Sequence, residues 1–164
     1  ATEKNAAINV GADVGTNAII WLGNGNFVGD IRTVDASAST VKAELAGNDA
    51  DNIITAGSGD ASLWGGNAGD DQLLGGAGKD VFFYTNGNGN DTISGATAGD
   101  MVYLSQVSLE QIASTSIENN VATINFKDGG KLTVNDASNC DFALVQGDQS
   151  QIYQVSGNDF VGKQ

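Results

Sequence analysis

In the middle of the chain, hydrophobic residues recur about every nine or ten positions, between stretches of small polar residues. Six in-phase apolar positions are separated by 10, 10, 9, 11 and 9 residues. An amphipathic helix would instead place apolar residues three and four positions apart. The pattern therefore predicts short strands separated by turns, each burying its middle residue, because side chains alternate across a strand. The six positions predicted to point inward are Ile53, Leu63, Leu73, Phe82, Ile93 and Val102.

The two flanks carry shorter alternations that predict further strands. The pair Asn24-Gly25 predicts a hairpin turn between the strands on either side of it, and 127–130 predicts another between 123–126 and 131–134. Segments 142–145 and 152–155 predict two more strands, and the capping-box spacing that begins at Ser108 predicts a helical turn. We expect one continuous all-β domain in three parts. These are an N-terminal β capping segment (1–45), a repeat region (46–105) and a C-terminal β-hairpin cap (106–164).

Composition excludes several classes of function. The chain has 7 basic residues against 20 acidic ones, a formal net charge of −13, which argues against nucleic-acid partners and anionic membranes. It has no apolar run long enough for membrane insertion and no signal-peptide pattern. With no His and a single Cys, a His-based catalytic site and an internal disulfide are both excluded. We expect a binding or structural module and not an enzyme.

A nine-residue motif accounts for the spacing. Its two best copies, 75–83 and 86–94, have small turn residues at positions one to four, Asp at position six and a large apolar residue at position eight. Weaker copies lie at 46–54, 66–74 and 95–103, and the copy at 56–64 has Ala61 in place of the aspartate. The position-six aspartates are Asp51, Asp71, Asp80, Asp91 and Asp100.

These turns combine carboxylates with backbone carbonyls that glycine leaves accessible. Several hard oxygen ligands without nitrogen or sulfur suit Ca²⁺, which takes 6–8 oxygens, better than Mg²⁺, which needs a tighter octahedron. The alternative is a metal-free array of Asp-Gly turns. Residues 46–105 hold eight Asp and one Lys. Stacking these carboxylates without a cation would bring like charges together, so the pattern favours calcium.

The motif resembles the glycine-aspartate nonapeptide G-G-x-G-x-D-x-U-x of the RTX (repeats-in-toxin) family. The resemblance implies a parallel β-roll, a β-solenoid with two nonapeptides per coil and Ca²⁺ between turns two repeats apart. Asp51, Asp71 and Asp91 would then lie along one face, and Asp80 and Asp100 along the other. It implies three ions and a weaker fourth near Ala61. The carbonyl ligands it implies fall among Gly57, Gly59, Gly66, Asn67, Gly69, Gly76, Gly78, Gly87 and Gly89.

The resemblance also implies a biological setting. RTX proteins are large bacterial proteins that are exported, often by type I secretion. We therefore expect an extracellular calcium-binding module that folds on Ca²⁺ after secretion and forms a structural or adhesive part of a larger surface or secreted protein. The alternative is an accessory module, carbohydrate-binding or stabilising, of a secreted enzyme or toxin. The expected partners are calcium ions, with other modules of the parent chain and a cell-surface glycan as further candidates.

Some single residues have two interpretations. Trp21 and Trp64 could form a sugar-stacking platform, but we expect them to pack on the roll or its cap. Cys140 could pair with another chain, but a buried inert thiol is the expected role. The remaining acids in the turns are expected to be solvated, with metal contact as the alternative; they are Asp49, Asp60 and Asp70.

Overall fold

The computed structural model describes residues 4–12, 15, 17–22, 30–85 and 89–163, and within them the chain is all-β. The helices in this part of the chain are two single-turn 3-10 helices, Leu109–Gln111 and Ala137–Asn139, and no helix there is long and apolar enough to cross a membrane. The strands are β1 (Lys4–Asn9), β2 (Asn17–Trp21), β3 (Asp30–Asp35), β4 (Lys42–Ala46), β5 (Ile53–Thr55), β6 (Ala61–Trp64), β7 (Gln72–Leu74), β8 (Val81–Thr85), β9 (Asn90–Ser94), β10 (Asp100–Ser105), β11 (Ile112–Glu118), β12 (Val121–Phe126), β13 (Lys131–Val134), β14 (Cys140–Gln146), β15 (Gln149–Ser156) and β16 (Asp159–Gly162).

Successive strands from β1 to β10 alternate between two sheets. Sheet A has the order β1-β3-β5-β7-β9-β13-β12-β11, and sheet B has the order β16-β15-β14-β10-β8-β6-β4-β2. Within each sheet the neighbouring strands from β1 to β10 are parallel, as are β9 with β13 and β10 with β14. Each sheet ends in an antiparallel meander, β13-β12-β11 in sheet A and β14-β15-β16 in sheet B.

The core is built around one lateral row of apolar side chains from each sheet, and further buried residues such as Tyr84, Leu104 and Ile124 extend it beyond these rows. In both rows, residues on neighbouring strands are in register and at most 2% exposed, and burying each large side chain contributes about 1.5–3 kcal/mol. Five of the six positions predicted to point inward lie in these rows, so the sequence period is confirmed there. The sheet A row is Val34, Ile54, Leu73, Ile93 and Val134, and the sheet B row is Leu45, Leu63, Phe82, Val102 and Phe142.

The prediction for Ile53 is wrong. Ile54 is fully buried, whereas Ile53 is 41% exposed. Ile54 pairs laterally with Leu73, and Ile53 pairs with Gln72, whose side chain is also exposed. A shift of one residue moves a strand's side chains to the opposite face, so the first repeat copy is displaced by one position from its predicted register.

The predicted hairpin around Asn24-Gly25 is also wrong, because its flanking strands do not pair with each other. The turn itself lies outside the described residues. Strand β2 pairs with β4 in sheet B, and β3 pairs with β1 and β5 in sheet A. The N-terminal strands therefore continue the alternation between the sheets.

The predicted C-terminal strands and helical turn are confirmed. Strands β12 and β13 form the predicted antiparallel hairpin, and β14 and β15 cover the two further strands. Gln111 accepts a hydrogen bond from the backbone N–H of Ser108 at 2.7 Å, as the capping-box spacing predicts. Strand β13 pairs directly with β9, and β14 pairs directly with β10. The C-terminal strands therefore cover the edges that β9 and β10 would otherwise expose.

Candidate metal centre in two rows of stacked turns

The alternation of strands places the turns in two rows. Between β3 and β10, the A-to-B turns lead from sheet A to sheet B and comprise residues 36–41, 56–60, 75–80 and 95–99. The B-to-A turns return to sheet A; they comprise residues 47–52, 65–71 and the connection from β8 to β9, of which 86–88 lie outside the described residues. The position-six residues stand at the end of these turns, where each strand begins. Every second one therefore falls in the same row.

The B-to-A row contains a ladder of Asn52, Asp71 and Asp91. The Asn52 N–H donates to Asp71 Oδ1 at 2.8 Å, and the Asp71 N–H donates to Asp91 Oδ1 at 3.0 Å. All three residues are 1% exposed. Among the buried side-chain oxygens and nitrogens of the described residues, Asp71 Oδ2 has no hydrogen-bond partner. This ladder thus contains one buried oxygen without a hydrogen-bond partner. Such an oxygen lowers the stability of the fold unless a donor or a cation binds it.

The A-to-B row contains the matching ladder of Ala61, Asp80 and Asp100. The Ala61 N–H donates to Asp80 Oδ1 at 2.9 Å, and the Asp80 N–H donates to Asp100 Oδ1 at 2.8 Å. The second oxygens also accept hydrogen bonds, Asp80 Oδ2 from the Gly76 N–H and Asp100 Oδ2 from the Thr97 N–H, both at 2.7 Å. In this row every carboxylate oxygen of the ladder has a partner.

Asp51 does not stand in either ladder. It lies on the predicted side of the molecule, in the B-to-A row, but Asn52 occupies the ladder position beside Asp71. Asp51 instead begins an outer ladder, in which its Oδ1 accepts the Asp70 N–H and Asp70 Oδ1 accepts the Asn90 N–H, each at 2.9 Å. In the A-to-B row, Asp60 Oδ1 likewise accepts the N–H of Lys79 at 2.9 Å. These exposed outer carboxylates brace neighbouring turns, a role that the sequence reasoning did not assign to them.

The turns stack so closely that side chains cannot fit at several glycines. A Cβ on Gly76 would overlap the carbonyl oxygen of Gly57, and a Cβ on Gly66 would overlap the carbonyl oxygen of Asn48. Gly66 also has a φ of +133°, which L side chains rarely adopt. Of the residues predicted to supply carbonyl ligands, Gly57, Gly59, Gly76 and Gly78 lie in the A-to-B turns; Gly66, Asn67, Gly69 and Gly89 lie in the B-to-A turns; Gly87 lies outside the described residues.

Burial and neighbouring charges make three of the buried aspartates, Asp71, Asp80 and Asp91, hard to ionise. Burial, joined by the negative charges of Asp91, Asp51 and Asp70, raises the pKa of Asp71 to about 7, although the hydrogen bond from the Asn52 N–H lowers it. Burial also raises the pKa of Asp91 to about 7, with a contribution from Asp70. The pKa of Asp80 is raised by burial in the same direction. A cation in these rows would favour the ionised forms and offset this cost.

The donor set of the two rows is entirely oxygen, as calcium requires. In the described part of the chain, no three His, Cys, Asp or Glu side chains are grouped so that they could hold a metal ion. A site here would therefore combine one or two ladder carboxylates with carbonyl oxygens of the stacked turns. Asp71 Oδ2, buried and without a partner, is the clearest donor for such a site.

The sequence did not predict the role of Asn52, and for Cys140 it predicted burial but not the residue beside it. Asn52 carries no charge, so a search for aspartates passes over it. It nevertheless stands two positions before Ile54, the residue that points into the core. Cys140 is buried, as expected, and is the lateral partner of Asp100 on the neighbouring strand. Burial raises the pKa of its thiol to about 12, which is consistent with an unreactive side chain.

The sequence matches no known family profile, and no curated protein matches it. Among solved structures, the chain is similar to the extracellular lipase LipA from Serratia marcescens, with 16% sequence identity and a TM-score of 0.43. The likeness covers 85% of this chain and 20% of the lipase chain, so the chain spans about a fifth of that enzyme's length. The functional proposal therefore rests on the stacked turns themselves.

Proposed function

We propose that the chain is a calcium-binding module of the RTX β-roll type, in which Ca²⁺ binds between stacked turns and stabilises the fold. The single observation that carries this proposal is Asp71. Its carboxylate is 1% exposed, one of its oxygens has no partner, and the charges that shift its pKa belong to other aspartates. A cation beside this group would supply the missing partner and relieve the repulsion.

The spacing of the strands supports the β-roll. Buried residues of the same sheet row are 19 residues apart from Ile54 to Leu73 and 20 apart from Leu73 to Ile93. Two nonapeptides with small insertions account for one such step. The parallel pairing and the alternation between two sheets are the arrangement that a roll of this kind requires.

The residues proposed to hold the ions are ladder carboxylates together with carbonyls of the glycine-rich turns. Asp71 and Asp91 would act in the B-to-A row, and Asp80 and Asp100 in the A-to-B row. Asp51 would reach an ion only from the outer ladder. Calcium is favoured over Mg²⁺ because its larger and more flexible coordination shell accepts carbonyl oxygens from a turn, whereas Mg²⁺ usually keeps several waters.

The proposed setting is extracellular. Sites of this kind in extracellular modules bind Ca²⁺ at about 10⁻⁴–10⁻³ M, so they would be empty inside a cell and filled outside it. The net charge of −13 would keep the calcium-free chain loose, and each bound ion would stabilise the folded state by mass action. We propose that the module is a structural or adhesive part of a larger secreted or surface protein.

The test is thermal unfolding followed by circular dichroism. We expect a higher midpoint in millimolar Ca²⁺ than in EDTA, and a much smaller rise with Mg²⁺ at the same concentration. The ionic strength is matched with NaCl, so that screening of the surface charge is separated from binding. Equal midpoints in Ca²⁺ and EDTA, or an equal rise with Mg²⁺, would contradict the proposal.

A further inference from the structure

A row of aromatic side chains crosses the outer face of sheet B. Trp21, Ala46, Trp64, Phe83 and Tyr103 are lateral partners on five consecutive strands, in that order. The residues before them in their strands point into the core, so this row faces outward. The row runs beside the B-to-A turns, because Ala46 and Trp64 directly precede the turns 47–52 and 65–71. None of its five residues is among those proposed to hold calcium.

The row contains a groove between its two tryptophans. Ala46 lies between them, and the groove has a volume of about 600 Å³, with Trp21 and Trp64 among its walls. Trp21 is 66% exposed, so the prediction that it packs on the roll is wrong, while Trp64 is half-buried. Single exposed apolar residues are common, whereas a contiguous aromatic row that includes an exposed tryptophan is typical of an interaction site.

Two further aromatic residues continue the row beyond Trp64, and polar side chains border the groove. The rings of Phe83 and Tyr103 contact each other, with centroids 5.2 Å apart at an interplanar angle of 49°. The groove is also lined by polar side chains, namely Glu44, Ser62, Thr85 and Ser105. Flat apolar surfaces beside hydroxyl and carboxylate groups match a sugar ring, which has apolar C–H faces and hydroxyl groups around its edge.

We infer that this groove binds an uncharged, extended polysaccharide chain that lies across the strands of sheet B. Neighbouring strands are ~4.7–4.9 Å apart, so the backbones at Trp21 and Trp64 are about 10 Å apart across Ala46. In an extended β-linked glycan, alternate sugars present the same face, which suits two stacking sites separated by a gap. The net charge of −13 and Glu44 in the groove disfavour anionic glycans.

A second copy of the chain fits the groove less well. A stable protein interface buries about 800 Å² per partner around an apolar centre. The aromatic row is only one residue wide in each strand and is bordered by Glu44 and hydroxyl groups. A narrow, polar-rimmed row of this kind is suited to a thin chain with many hydroxyl groups.

Intrinsic tryptophan fluorescence measures binding in this groove directly, because Trp21 and Trp64 are the only two tryptophans of the sequence. The full chain in saturating Ca²⁺ would be titrated with hydroxyethylcellulose, galactomannan and dextran, and with alginate as an anionic polymer. We expect a saturable change in tryptophan fluorescence with hydroxyethylcellulose or galactomannan, whose β-linked backbones are extended. A much weaker change is expected with dextran, whose α-linked chain is not extended, and with alginate. Trp21→Ala should weaken binding by about tenfold or more, with the remaining Trp64 as reporter.

The matched control is Ile19→Ala. Ile19 is an apolar residue on the same strand, 62% exposed and outside the aromatic row, so its removal should leave the affinity unchanged. The inference is overturned if no uncharged polymer binds, if alginate binds as well as they do, or if Ile19→Ala weakens binding as much as Trp21→Ala. Self-association that Trp21→Ala abolishes, seen by sedimentation without glycan binding, would also overturn it. Failure of glycan binding with a normal calcium response would leave the proposed function standing.

Discussion

The two rows of turns share one ladder geometry but differ in how they satisfy their carboxylates. In the A-to-B row, both oxygens of Asp80 and of Asp100 accept backbone hydrogen bonds. In the B-to-A row, Asp71 keeps one buried oxygen without a partner, and the aspartates beside it are more numerous. If calcium binds as proposed, we therefore expect the B-to-A row to depend on it more strongly, because the carboxylate oxygens of the A-to-B row already accept backbone hydrogen bonds.

The largest expected effect concerns the stacking that both rows share. Gly76→Ala and Gly66→Ala should each destabilise the protein by about 1–3 kcal/mol, because the added methyl group would overlap a carbonyl of the preceding turn. Chemical denaturation in saturating Ca²⁺ would measure this. Gly162→Ala is the control, since a Cβ there meets nothing within 4 Å. If only one of the two turn variants is destabilised, the rows do not share this geometry.

The next effect should have opposite signs in the two rows of the calcium-free protein. Asp80→Asn should destabilise it by about 1–3 kcal/mol, because the amide NH₂ would face a backbone N–H donor in place of an acceptor. Asp71→Asn should leave it as stable or more stable. The amide oxygen can still accept from Asn52, and the NH₂ replaces an oxygen that has no partner.

The chain itself supports this expectation, because the B-to-A ladder already contains an asparagine. Asn52 Oδ1 accepts the Asn48 N–H at 2.8 Å, and its Nδ2 donates to the carbonyl of Arg32 at 3.3 Å. Urea unfolding in EDTA would compare the two variants with the natural protein. Equal destabilisation by Asp71→Asn and Asp80→Asn would remove the distinction between the rows.

A smaller effect is expected from pH. Asp71 and Asp91 have folded-state pKa values raised to about 7 from a usual 3.8, so between these values the folded state binds more protons than the unfolded state. The stability of the calcium-free protein should therefore fall as the pH rises through this window and level off above it. Unfolding in EDTA at about pH 5 and about pH 8 would show it, with greater stability at the lower pH.

The same measurement in saturating Ca²⁺ should reverse the trend, because protons compete with calcium for the ionised carboxylates. The natural control is Asp71→Asn, in which the calcium-free pH dependence should become shallower. If the calcium-free protein is instead more stable at about pH 8 than at about pH 5, the folded-state pKa values of Asp71 and Asp91 are not raised.

The smallest effect is expected at the outer ladder. Asp60→Ala removes the acceptor for the Lys79 N–H, but this turn is exposed and water can replace the lost hydrogen bond. The loss should be below about 1 kcal/mol, and the number of bound calcium ions should not change. Calorimetric titration would count the ions. If Asp60→Ala removes as many bound ions as Asp91→Ala, the calcium ligands are not confined to the inner ladder, and this assignment is wrong.

Much of this architecture could be predicted from the sequence, because apolar positions spaced nine to eleven residues apart between glycine-rich turns leave few alternatives. Leu63, Leu73 and Phe82 each stand two residues after position six of their repeat, and each is buried as expected. The first copy was displaced because Ile53 and Ile54 are adjacent and both apolar. Turns of slightly different length can absorb a shift of one residue, so the spacing alone could not choose between them.

Two other features depend on long-range pairing that local patterns do not reveal. The strands around 24–25 look like a hairpin, but each joins a different sheet, where it finds parallel partners. Similarly, Trp21 is exposed because it stands on the outer face of an outer strand of sheet B, and no described strand packs over that face. Aromatic residues favour burial on average, so the sequence gives no local signal for this exception.

The most direct test of the central claim is a calcium titration of thermal stability in the natural protein and in Asp71→Asn. We expect Ca²⁺ to raise the thermal midpoint of the natural protein substantially. In Asp71→Asn, the calcium-free midpoint should be no lower and the rise with Ca²⁺ clearly smaller, because the buried carboxylate that needs the ion is gone. A natural protein that does not respond to Ca²⁺, or a variant that gains as much from Ca²⁺ as the natural protein, would contradict it.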